Sequence, residues 1–89
     1  MRPIGTIRYS SHFRRRFKKL DPQLAGEVAK SENLFRADCF HPSLDTHKLK
    51  GKLKGFWSFS ITRKHRILFQ FLSADEVYFV DVDDHDMYR

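Results

Sequence analysis

A chain of 89 residues makes one small domain and leaves no room for a dinucleotide-binding half, a TIM barrel or a kinase-sized machine. A composition 40% hydrophobic and 15% aromatic, with nine Phe, three Tyr and one Trp, belongs to a packed core rather than a disordered chain. The net charge is +6 and unevenly laid down: residues 1–70 hold sixteen Lys and Arg against five acids, and residues 75–89 hold six acids and one Arg, so the first part of the chain should attract polyanions, nucleic acid above all.

In chain order, the opening MRPIGTIRYSSHFRRR lacks the apolar centre of a secretory leader. No stretch approaches the ~20 apolar residues of a membrane span. Ile4, Ile7 and Tyr9 predict a short strand over residues 4–9. Ser10 or Ser11 then caps a helix whose stripe is Phe13, Phe17 and Leu20, with Arg14, Arg15, Arg16, Lys18 and Lys19 on its other faces. Asp21-Pro22 starts a second helix carrying Leu24, Ala25, Val28, Ala29, Leu34 and Phe35. Residues 37–47 read as a loop. The single Cys39 allows no internal disulfide and fits a reducing compartment, so we expect a cytoplasmic protein.

The stretch HKLKGKLKG alternates lysine with Leu or Gly and predicts an extended segment with its lysines on one side. Strands follow over 55–62, 65–72 and 76–83, joined by turns too short for anything but antiparallel pairing. The fold class is therefore α+β: one domain over residues 1–89, with an N-terminal strand, a helical hairpin and an antiparallel three-stranded meander in one sheet.

Lys48, Lys50, Lys52 and Lys54 suit a phosphate backbone, or equally the solvated edge of a sheet. The RRRFKK run reads as a solvated helix face. Cleavage of RNA without a metal needs two proton carriers and a cation: a base for the ribose 2′-OH, an acid for the leaving 5′ oxygen, and Arg or Lys for the phosphorane. His47, Arg66 and His85 are candidates, provided the meander brings them to one open face. The tail DVDDHD invites a divalent-metal reading, but no second acid cluster completes a cage. Alternation puts Trp57 on the apolar side.

HKLKGKLKGFWSFSITRKHRILFQF, followed by a strand and a final HDMYR, resembles the RelE/ParE superfamily of type II toxin–antitoxin toxins, most strongly over residues 47–89. L-K-x-x-L-x-G-F-W-S-x-x-I-T-x-x-H-R-I is close to the YoeB-type pattern, and H-x-L-x-G is closer to the YafQ type. The resemblance implies a ribosome-dependent mRNA interferase that uses no metal or other cofactor and is held inactive by a cognate antitoxin. By position it gives His47 the place of the YafQ-type histidine, near the YoeB-type glutamate base. Arg66 takes the place of the arginine that stabilises the phosphorane. His85 takes that of the C-terminal general acid, and Tyr88 lies near the terminal aromatic beside the scissile nucleotide. The four lysines would contact mRNA or ribosomal RNA. Departures are Ser60 for a second YafQ-type histidine, Asp81 near an arginine position, and Asp86 for the YoeB-type terminal tyrosine. The rival readings are a ParE-type gyrase poison, which has no catalytic His/Arg set, and a non-enzymatic basic module that binds RNA or protein.

Overall fold

Ser10 settles the first turn of the fold. Its hydroxyl accepts from the Phe13 N–H at 2.9 Å, capping helix α1 (Ser11–Lys18), and donates to the Val80 carbonyl at 2.7 Å. Its own N–H donates to the Phe79 carbonyl at 3.0 Å, so the cap of α1 is bolted to the far end of the chain. Asp21 caps helix α2 (Pro22–Ala37) in the expected way, accepting from the Leu24 N–H at 2.9 Å with Pro22 in the first turn. The strands are β1 (Thr6–Tyr9), β2 (His47–Lys48), β3 (Trp57–Ser60), β4 (His65–Phe71) and β5 (Glu76–Asp84). This computed structural model describes residues 1–84. No helix among them is long and apolar enough to cross a membrane.

The sheet order is β1-β5-β4-β3-β2, with β1 parallel to β5 and every other pair antiparallel. The α+β class and the β3–β4–β5 meander are as expected from sequence. Two features differ. The sheet is mixed rather than wholly antiparallel, because β1 meets β5 across most of the chain and no short turn dictates its direction. It also has a fifth strand, the two-residue β2, within a segment read as continuous.

The lysine stretch is not extended beyond Lys50. Gly51 and Gly55 adopt φ of 66° and 96°, and a 3₁₀ turn over Gly51–Leu53 folds the loop back, so that Phe56 N–H meets the Leu53 carbonyl at 3.0 Å. The lysines therefore ring a turn instead of lining a strand.

Phe35 stands at the centre of the core with no exposed surface. Its ring lies 4.5 Å from Phe59, 5.1 Å from Phe69 and 5.6 Å from Phe79. Val28 of α2 and Phe13 of α1 complete the helical side, and Ile67, Val77 and Val82 the sheet side. Trp57 is only partly buried, packed edge-on to Phe40 and Phe71. Beyond α2, the Asp38 carboxylate accepts from the N–H groups of Arg2 at 3.0 Å and Phe40 at 3.1 Å. These backbone donors, Arg2 first, hold its pKa below the usual carboxylate value.

Replacing Phe35 by Ala removes a helix side chain that packs against three strands. We expect urea unfolding to show a loss of about 3–5 kcal/mol, a large share of the roughly 5–15 kcal/mol that holds a small domain folded. A loss below about 1 kcal/mol would mean the helix–sheet seam is not organised around this ring.

Candidate functional site

Side chains alternate across a strand, so burying Phe59, Ile67 and Phe69 against α2 commits their neighbours to the other face. In the register, His47 pairs with Ser58, Ser58 with Leu68, and Ser60 with Arg66. His47, Ser58, Ser60 and Arg66 thus share the face turned away from the helices. His47 and Arg66 are two strands apart and offset by two residues, about 12 Å between Cα atoms at the spacings of a sheet. The structure brings together these two of the residues singled out by sequence. His85 and Tyr88 lie outside the described residues.

The His47 ring is exposed, and its Nδ1 lies 2.8 Å from the Asp45 carbonyl oxygen. A carbonyl only accepts, so Nδ1 carries the proton and Nε2 is left with a lone pair when the ring is neutral. The Arg66 side chain is 15% exposed, and its Nη1 lies 3.7 Å from the Asp45 carboxylate. Asp45 therefore touches both candidates. It follows the 3₁₀ turn Pro42–Leu44 and adopts a left-handed conformation, φ 49° and ψ 46°. Sequence reasoning passed over it as one more loop residue. The available signal was an Asp, a residue tolerant of that conformation, two places before the histidine.

The floor between His47 and Arg66 is small and polar. Ser58 is fully buried, and its hydroxyl has no hydrogen-bond partner among the described residues. Ser60, where a second histidine stands in the YafQ-type pattern, lies beside Arg66 in the register.

Lys48 pairs with Trp57, not with the His47 face, and its ammonium sits 5.7 Å from the Trp57 ring centre. Lys50, Lys52 and Lys54 are exposed around the glycine turn, and among the described residues they make no ion pair. Asp81 is engaged by α1. A bulge at Val80 re-aims the strand, and the Asp81 carboxylate turns to α1, 3.1 Å from His12 Nε2 and 3.8 Å from Arg16 Nε. Among the described residues no group of three or more His, Cys, Asp or Glu is placed to hold a metal ion. Cys39 is fully buried, and burial pushes its thiol pKa up, away from the thiolate that reacts.

A helical hairpin over one face of a mixed five-stranded sheet, with a basic loop at the β2 edge, is a fold this chain shares with solved toxins. The chain is similar to the YoeB/ParE toxin from Agrobacterium tumefaciens, with 16% identity, 91% of this chain and 99% of that one covered, and a TM-score of 0.75. It is similar to YafQ from E. coli, with 14% identity over 98% and 97% of the two chains and a TM-score of 0.75. The toxin–antitoxin complex RelBE2 from Mycobacterium tuberculosis matches at 24% identity over 96% and 94%, with a TM-score of 0.71. No family model matches the sequence, and no curated protein does. At these identities the likeness establishes the fold.

The His47 geometry is open to direct observation. Long-range proton–nitrogen NMR spectra of the neutral ring, recorded at alkaline pH, should show it protonated on Nδ1. A ring protonated on Nε2 would mean that the Asp45 carbonyl does not hold it.

Proposed function

We propose that the protein is the toxin of a type II toxin–antitoxin pair and acts as a metal-independent endoribonuclease on ribosome-bound mRNA. The observation that carries this reading is that His47 and Arg66 share the face turned away from the helices, beside a lysine-rich loop, on a RelE/ParE-type fold. In this reading Nε2 of His47 takes the proton of a ribose 2′-OH. The oxygen attacks the adjacent phosphorus, and the bond to the 5′ oxygen breaks, leaving a 2′,3′-cyclic phosphate and a 5′-hydroxyl. Arg66 stabilises the negative charge gathered on the phosphorane oxygens. His85 returns a proton to the leaving oxygen, and Tyr88 lies against the neighbouring nucleotide; both roles come from the resemblance. Lys50, Lys52 and Lys54 hold the backbone of mRNA or ribosomal RNA, with Lys48 further round the edge. The compartment this requires is the cytoplasm.

The partner in this reading is an antitoxin. A cleft of about 350 Å³ between α1 and α2 has an apolar lining that includes Phe13, Phe17 and Val28. Arg14 and Lys18 stand on it as well. Apolar and cationic groups together suit an acidic amphipathic segment.

The test is primer extension on mRNA in a translation extract, with and without EDTA. The protein should cut within translated frames in both conditions. His47→Ala and Arg66→Ala should each lower the rate by about 10²–10³-fold. Intact mRNA with the unaltered protein, or cutting by both variants at the unaltered rate, would remove the nuclease reading. DNA cleavage in the presence of gyrase would put the gyrase-poison reading in its place.

A further inference from the structure

We propose that Asp45 is a positioning residue that sets both His47 and Arg66 for cleavage, the first through its backbone carbonyl and the second through its carboxylate. The inference rests on the nuclease reading above and adds a residue to it. Three observations converge on this one position. Its carbonyl oxygen lies 2.8 Å from His47 Nδ1. Its carboxylate lies 3.7 Å from Arg66 Nη1. Its backbone is left-handed, the one non-glycine residue with positive φ among those described.

The third observation makes the first two possible. The 3₁₀ turn ends with Leu44 N–H on the His41 carbonyl at 3.0 Å and Asp45 N–H on the Pro42 carbonyl at 3.3 Å. The left-handed residue then reverses the chain into β2. The carbonyl of Asp45 is thereby presented to the ring two residues ahead, while its side chain reaches across to β4.

Stability alone does not account for an aspartate here. Its side chain is 68% exposed, and exposed ion pairs add little to folding. Glycine would occupy the same conformation with less strain. An acid is also an unfavourable neighbour for RNA unless it does something for the cation beside it. Arg66 is long, and its guanidinium must be held at one angle to meet a phosphorane. The carboxylate lies at ion-pair distance from one nitrogen of that five-donor fork, beyond hydrogen-bond reach, and biases its orientation alongside the residue's other contacts. The carbonyl keeps the proton of His47 on Nδ1, so that Nε2 faces substrate as an acceptor. Base and cation are thus set from a single backbone position.

Two variants separate the two actions from the fold. Asp45→Asn keeps the turn preference and the carbonyl but removes the charge. Asp45→Gly keeps the conformation and the carbonyl but removes the side chain. In cleavage of ribosome-bound mRNA both should lose kcat by about tenfold or more, with KM little changed. NMR should show the Nδ1-protonated His47 ring retained in both, and the Arg66 Nε–H signal more mobile than in the unaltered protein. Cleavage by both variants at the unaltered rate, or faster, while Arg66→Ala is inactive, would overturn the proposal and leave the nuclease reading standing. If the unaltered protein cuts no RNA, the nuclease reading fails and the NMR decides: Arg66 equally ordered in all three proteins overturns the positioning role, and greater mobility in both variants supports it.

Discussion

Phe35 presses into the rings of Phe59, Phe69 and Phe79, and that contact decides which side of the sheet is covered. Because strand side chains alternate, a one-residue slip of β3 would turn Ser58 inward and Phe59 outward. The core therefore fixes the register. The register in turn places His47 and Arg66 together on the side turned away from the helices. The position of the residues proposed for chemistry follows from rings packed on the opposite face.

The charge asymmetry of the chain resolves in the same fold. The acidic C-terminal strand is laid between β1 and β4 and beside α1. Arg8 of β1 pairs with Glu76, and His12 and Arg16 of α1 meet Asp81. Part of the basic N-terminal region is thus met by the protein's own acids. The glycine loop is treated differently: Lys50, Lys52 and Lys54 have no acidic partner among the described residues. A field left open there, at the rim of the His47 face, is where a polyanion gains most from binding.

Both helices were legible from the sequence because their starts are written in local chemistry: Ser10 before a Phe13 stripe, and Asp21-Pro22 before another. The meander was legible from alternation and short turns. The direction of β1 was not, since its partner lies about seventy residues away and no local rule reports on it. The lysine stretch misled because alternation looks the same in a strand and in a turn punctuated by left-handed glycines. Of the candidate site, the meeting of His47 and Arg66 followed from pairing. Asp45 did not, because its importance comes from one backbone angle and two contacts that leave no periodic trace.

The central claim is that His47 and Arg66 act as one unit on one phosphodiester. A double-mutant cycle on cleavage of ribosome-bound mRNA measures this directly, using His47→Ala, Arg66→Ala and the two combined. Groups that share a transition state are strongly non-additive, so the combined variant should be scarcely slower than the worse single one. If the two losses simply multiply, or if either single variant cuts at the unaltered rate, the two side chains do not work together and the account of the open face is wrong.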